Sequence, residues 1–343
     1  MKPSRRHIRN LTGLLLLAIA TCYIIWSHNR PLTWYNNEGQ VFGTTYHITY
    51  QSPKDRHQDI QEALRRVDLS LSAFNPQSTL SKINRNESQD TDTLFRQLFR
   101  QAQQLSHITR GAFDITVAPL VNAWGFGFKN RETITQPLID SLLQLTGYEK
   151  VRLTADGKIQ KEHENIQMDF SAIAKGFGTD QVAKTLKEKG IRNFMIEIGG
   201  EISASGNNPK GKPWTIGIVE PNEQTANEQT PPLQTVITLT NQALATSGNY
   251  RNYYYEGNKR YAHTINPKTG RPVEHSLLSA TIIAPTCSEA DAYATASMVL
   301  GVDSSLAILK QQPHLLWYFI CQDQDGQEKV LYSPQLEPYI LRQ

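Results

Sequence analysis

Cysteine is scarce: Cys22, Cys287 and Cys321 are the only three. That is too few for a disulfide framework, and with no CxxC pair there is no thiolate cage for structural zinc. An excess of one charge is also missing. The net charge is +3, and Lys2, Arg5, Arg6 and Arg9 all precede the first apolar run with no acidic residue among them. Taking those four from +3 leaves −1 for the rest of the chain. A body that neutral has no electrostatic footprint for phosphate backbones, which argues against a nucleic-acid partner. Uncharged apolar stretches are rare too, which excludes a polytopic membrane protein. What remains is ordinary globular composition, 39% hydrophobic and 20% charged with 21 Gly and 17 Pro. At ~150 residues per domain, 343 residues suffice for a real core without staples.

The exception is Leu11 to Trp26 (LTGLLLLAIATCYIIW), an uncharged stretch behind the four cations. Residues 1–27 read as a signal peptide or membrane anchor, 28–38 as a linker and 39–343 as the globular domain. Ile19-Ala20-Thr21-Cys22 resembles a bacterial lipobox, whose cysteine is lipidated after cleavage, although Thr before Cys is atypical. An uncleaved anchor explains the same residues, and both readings stand. Either places the body on the periplasmic side of a bacterial inner membrane, with the N-terminal cations left in the cytoplasm.

Periodicity and punctuation predict a strand over Val41 to Tyr50 and helices over Asp59 to Leu71, Thr91 to Thr109 and Leu138 to Leu145. Strands follow at 150–153 and 166–170, then a helix from Ala172 to Lys189. Next come strands at 194–198, 201–205, 214–219 and 236–239 and a hairpin around Glu256-Gly257-Asn258. Glu220 to Pro232 is polar and reads as a solvent loop. The chain ends with strand 277–284, helices 288–300 and 304–310, and a hairpin pairing 315–321 with 329–333. Strands and helices without regular βαβ alternation predict an α+β fold with mixed or antiparallel sheets.

Familiar nucleotide signatures fail. Gly206-Asn-Asn-Pro-Lys-Gly211-Lys212 is followed by Pro213 where a P-loop needs Ser or Thr, and Gly176-Phe-Gly178 has Gln181 where the third Rossmann glycine belongs. Four other clusters carry chemistry. Gly111 to Gly127 sets Asp114 beside Phe113, with Trp124 and Phe126 downstream; it suits an aromatic ring with a polar edge, or else a turn-capping Asp beside core aromatics. Asp169 lies in an apolar segment before a helix start that, with Lys175, favours an anion such as a pyrophosphate. An Asp169–Lys175 salt bridge is the alternative. His263 ends a strand ahead of Asn266-Pro267, placed to reach a cleft or simply to finish the strand. Asp291 and Thr295, four apart among alanines, share one helix face and offer two hard oxygens suited to Mg²⁺. A capping box of Ser288 with Asp291 accounts for the Asp but not the Thr.

In this order the clusters resemble the ApbE family, the Mg²⁺-dependent FAD:protein FMN transferases formerly called thiamine-biosynthesis lipoproteins. The likeness runs from about Val41 to Gly301 and includes Leu71-Ser72-Ala73-Phe74-Asn75 and Ile196-Glu197-Ile198-Gly199-Gly200-Glu201. It implies a two-lobed, T-fold-related α+β architecture with FAD in a cleft between the lobes. Asp291, Thr295 and the Ala172 carbonyl would hold Mg²⁺, with Ser288 able to face the metal. Phe42, Ser72, Ala73, Phe74, Ala112, Phe113, Asp114, Asp169, Lys175, and Thr264 or Ile265 would line the FAD site. His263 would stand nearest the acceptor hydroxyl. Phe42 replaces the family's usual Met, and Asn266 its usual Asp.

The activity so implied is attack by a Thr or Ser hydroxyl of an acceptor flavoprotein on the FMN-side phosphorus of FAD, expelling AMP. Implied acceptors are subunits of sodium-pumping quinone reductase or Rnf type. The same site with water as nucleophile would be an FAD pyrophosphatase. A non-enzymatic exported flavin-binding lipoprotein would need the aromatics but not the Asp291/Thr295 pair.

Overall fold

The computed structural model describes residues 31–127, 131–222, 231–249, 253–257 and 259–341, with the single positions 17, 18, 21, 224 and 228. Cys22 and most of the predicted export segment lie outside the described residues. Eight strands build one antiparallel sheet, β1 (Thr33–Val41), β2 (Thr44–Ser52), β3 (Phe194–Ile198), β4 (Glu201–Ser205), β5 (Gln242–Gly248), β6 (Leu277–Ala284), β7 (Leu316–Gln322) and β8 (Glu328–Tyr332). They lie side by side in chain order. Among the described residues, every α-helix that follows β1 is an insertion between neighbouring strands of this meander.

The predicted strand at 41–50 is the second arm of a hairpin. Phe42 and Gly43 turn with φ of 52° and 75°, the left-handed geometry of tight hairpin turns, and Val41 pairs with Thr44. Because β1 begins at Thr33, residues 33–38 are sheet rather than linker.

Alternation gives β4 to β7 two apolar faces. Ile202, Leu244, Ile283, Tyr318 and Ile320 pack on a small three-stranded sheet of Trp214–Val219, Leu233–Leu239 and Ile340–Leu341. Ala245, Ala280, Ile282 and Phe319 face helices. The helices are α1 (His57–Leu71), α2 (Thr79–Asn84), α3 (Thr93–Ile108), α4 (Ala118–Ala123), α5 (Gln136–Leu143), α6 (Ser171–Glu188) and α7 (Cys287–Leu309). α1 buries Ile60, Leu64, Val67 and Leu71, one stripe at helical spacing. α3 starts where the Asp92 side chain accepts from the Phe95 N–H, a cap that fixes its first turn.

Two other expectations change. Residues 166–170 form no strand: the Asn84 side chain bonds both the N–H and the carbonyl of Met168, so that backbone is satisfied without a sheet. The helices expected at 288–300 and 304–310 are one run kinked at Gly301, whose φ of 74° and ψ of −178° suit only glycine.

α6 and α7 cross in direct backbone contact. A Cβ on Gly176 would meet the Cys287 carbonyl and lie 2.8 Å from Ser288 Cα. A Cβ on Gly178 would strike the Phe42 ring. The two glycines that looked like part of a nucleotide motif are there for packing. The contact brings the first turn of α7 against the first turns of α6.

Candidate functional site

A cavity of about 570 Å³ opens where α6 begins, bounded by α7, the starts and ends of central strands, and the loops after α3 and α4. Its size suits a small-molecule site. The β3–β4 turn enters it through Gly199 and Gly200, at φ of 61° and 100°; the Glu197 carboxylate accepts the Gly200 N–H at 2.6 Å and fixes that turn. Glu201, the first residue of β4, is thereby aimed inward.

The charged centre joins three elements. Lys175 on α6 donates to Glu201 Oε1 at 2.7 Å, and its Nζ lies 3.9 Å from Asp291 Oδ1 on α7. Asp291 Oδ2 accepts the Gly176 N–H at 3.0 Å. Asp291 and Glu201 are both buried. Burial pushes both carboxyls up, Glu201 to about 8, with Asp291 adding to the rise at Glu201 and Lys175 opposing it. Burial alone would lower the Lys175 ammonium, but Asp291 and Glu201 outweigh it and hold the amine above the usual lysine value. One cation faces two carboxylates, so without a further positive charge the cluster retains a proton.

That shortage makes the donor set fit a hard divalent cation. Thr295 lines the same wall one turn beyond Asp291, with its hydroxyl 3.3 Å from Ser247 Oγ, and Ala172 lines the start of α6. Glu201 Oε2 is buried without a hydrogen-bond partner and can accept from a cation's water shell. Among the described residues no cluster of three His, Cys, Asp or Glu forms a cage. Any cation here would rest on one carboxylate, a hydroxyl, a carbonyl and ligand oxygens, the sparse coordination Mg²⁺ accepts.

Of the sequence-predicted residues, Phe74, Ala112, Phe113, Asp114, Asp169, Ala172, Lys175, His263, Thr264, Ile265, Asp291 and Thr295 all border this cavity. Phe74 stands 71% exposed at the boundary. Half-buried His263 lies edge-on to Phe126 at 6.4 Å, and Phe126 stacks on Tyr254 at 5.2 Å. The Thr264 hydroxyl donates to Asn249.

Four predicted residues do not line it. Phe42 packs over Gly178. Ser72 accepts the N–H groups of Phe74 and Asn75, so the Ser72-Ala73 turn carries Phe74 to the cavity without lining it. Ser288 is turned away from the metal position it was assigned: its hydroxyl donates to Asp180 Oδ2 at 2.7 Å and accepts from Gln101. This also removes the capping box, since Asp291 bonds α6 instead.

Other local readings change. The Asp169–Lys175 bridge does not form, because Lys175 is taken by Glu201. Asp169 accepts both the N–H and the hydroxyl of Ser171. The α6 terminus therefore reaches the cavity with a carboxylate on its first donor, a narrower anion site than expected. Asp114 proves to be a turn former: its carboxylate takes the Thr116 N–H and hydroxyl and the Tyr148 N–H. Trp124 is buried, donating to the Gly270 carbonyl, so of the two downstream aromatics only Phe126 reaches the cavity. Asn266 accepts the Lys268 N–H within its own turn.

Sequence reasoning did not single out Glu201 as a site residue. The signal was present, a double-glycine turn followed by an acid at the start of a fully buried strand. Asp180 was also passed over; an acid nine residues into a helix carries no local mark of the contact it makes with a second helix.

Comparison with known proteins points to one family. The model of the ApbE family matches residues 42–319. A Haemophilus influenzae protein named FAD:protein FMN transferase is 36% identical over 328 residues, covering 91% of this chain and 93% of its own. A Vibrio cholerae protein of the same name is 35% identical over 339 residues, covering 95% and 98%. The solved structure described as flavin transferase ApbE from Vibrio cholerae superposes with a TM-score of 0.80 at 33% identity, covering 90% of this chain and all of that one.

Proposed function

The chain belongs to the ApbE family, and from that premise we propose that it transfers FMN from FAD to an acceptor flavoprotein, Mg²⁺-dependently, through a phosphoester to a Thr or Ser hydroxyl. The observation that carries this reading is the meeting, in one cavity, of the Lys175–Asp291–Glu201 cluster with Thr295 and the aromatic-flanked His263.

In this reading the acceptor oxygen bonds to the FMN-side phosphorus, the bond from that phosphorus to the bridging oxygen breaks, and AMP leaves with the electron pair. Bound at Asp291, Thr295 and the Ala172 carbonyl, Mg²⁺ would supply Lewis-acid neutralisation of pyrophosphate charge. Lys175, kept protonated by its two carboxylates, adds a fixed positive charge that needs no reorganisation during the reaction. His263 takes the acceptor proton on a ring nitrogen. Phe126 and Phe74 offer apolar surface to the flavin.

The proposed acceptors are subunits of sodium-pumping quinone reductase or Rnf type. The proposed location is the periplasmic side of a bacterial inner membrane, supported by the four cations ahead of the apolar run at 11–26. The test incubates full-length protein with FAD, Mg²⁺ and an acceptor domain, following AMP release and flavin fluorescence of the denatured acceptor. Equimolar AMP and labelled acceptor is the expected result. AMP without labelled acceptor would make the protein a pyrophosphatase, and neither product would leave a flavin-binding protein.

A further inference from the structure

We propose that Asp180 is a positioning residue that sets the register of α7 on α6 and so aims Asp291 and Thr295 at the start of α6. The inference rests on the reading of Asp291 as a cation ligand and concerns how that ligand is held. α7 has no cap of its own, for Thr286 at its N-cap makes no side-chain hydrogen bond. The cap comes from the neighbouring helix instead. Asp180 Oδ1 accepts the Cys287 N–H at 2.7 Å, and Oδ2 accepts the Ser288 N–H at 2.9 Å and the Ser288 hydroxyl at 2.7 Å. Three donors at the start of α7 are thus held by one carboxylate projecting from α6.

A reciprocal bond lies one turn along. Gly176, four residues before Asp180 and so on the same face of α6, donates its N–H to Asp291 Oδ2. Asp291 in turn lies one turn beyond Cys287 and Ser288. The helices are therefore clasped twice, each carboxylate taking backbone N–H groups of the other helix. With no side chain on Gly176, neither clasp has slack. The sheet holds the body of α7, and the two clasps fix two points of its first turns against α6. Gln101 closes the outer side by donating to Ser288 Oγ. Removing the outer clasp should leave Asp291 in place chemically but poorly aimed, and loss of such supporting contacts costs about 10- to 100-fold in metal affinity.

The test measures Mn²⁺ binding by electron paramagnetic resonance of the free ion, without FAD, on full-length wild type and on D180N, S288A and D291N. Cooperative thermal unfolding of each is recorded in chelator. D180N should bind Mn²⁺ roughly tenfold more weakly, and S288A, which removes one of three donors, roughly threefold more weakly. Both should unfold cooperatively. Wild-type Mn²⁺ affinity in D180N, even with a lowered melting temperature, reduces Asp180 to a structural cap and overturns the proposal. If D180N does not fold, wild-type affinity in S288A overturns it. D291N is the separate control: if it binds Mn²⁺ like wild type, the ligand assignment itself fails, whatever Asp180 does.

Discussion

Replacing Gly176 by Ala perturbs the crossing on which the candidate site depends. The new Cβ would lie 2.6 Å from the carbonyl carbon of Cys287 and 2.8 Å from Ser288 Cα, whereas ordinary contact begins at 3.4 Å. These are backbone atoms of a capped helix, and the Cys287 carbonyl oxygen is met more closely still, so relief requires the first turn of α7 to retreat by roughly 1 Å. Alanine gains about 1 kcal/mol over glycine in helix propensity, while overpacking costs about 1–3 kcal/mol. The balance is a loss on the order of 1 kcal/mol. The larger effect falls on function, because the retreat stretches the 3.0 Å bond from Gly176 N–H to Asp291 and moves that carboxylate relative to Lys175. Misplacement near 1 Å costs on the order of 100-fold in rate. Transfer of FMN to an acceptor domain, read by in-gel flavin fluorescence, should fall by about that factor while the melting temperature drops only a few degrees. G178A is the matched control. Its Cβ meets the Phe42 ring, a side chain that can move and that does not line the cavity, so its rate should stay within a few-fold of wild type. A G176A enzyme with wild-type rate and stability would refute the argument from helix crossing.

Other perturbations separate the parts of the site. In the absence of metal, Glu201 titrates at about 8 when folded against its ordinary 4.5, raised by burial, so the folded state holds the proton more tightly. That contribution is complete below 4.5 and is lost as pH rises through 8. The melting temperature in chelator should fall across that window and flatten in E201Q; a flat wild-type profile would show that Glu201 is not buried as described. H263A should lower kcat by about 100-fold or more with little change in stability, and an unchanged kcat would remove His263 from proton transfer. Asp291→Ala should abolish Mg²⁺-dependent transfer while unfolding stays cooperative, with persistent transfer counting against the assignment. F74A removes an exposed ring and should raise the KM for FAD several-fold at unchanged melting temperature; an unchanged KM would place the flavin elsewhere.

Much of the fold was legible because local signals and tertiary demands agree. Phe194–Ile198, Glu201–Ser205, Trp214–Val219 and Leu277–Ala284 are strands over the expected residues, and all but Glu201–Ser205 are well supplied with β-branched or aromatic residues. β5 was missed because Gln-Ala-Leu-Ala-Thr-Ser-Gly has little strand composition. Its alanines are buried by α7 and the adjacent strands, and that environment, rather than propensity, makes it a strand. β1 was missed because a polar run, Asn36-Asn37-Glu38-Gly39, lies at the sheet edge, where one pairing partner suffices. Twelve of the residues singled out from the sequence border one cavity. The errors came from partners chosen across the fold: Lys175 meets Glu201 rather than Asp169, and Ser288 meets Asp180 rather than a cation. Neither pairing is visible from sequence separation, since each depends on how α6 lies against β4 and α7.

The most direct measurement is the anomalous signal of Mn²⁺ in crystals soaked with that ion and FAD. The account predicts one peak within coordination distance of Asp291, Thr295 and the Ala172 carbonyl, with the pyrophosphate oxygens completing its shell and the isoalloxazine toward Phe126 and His263. A peak elsewhere, or FAD phosphates lying away from the start of α6, would contradict it.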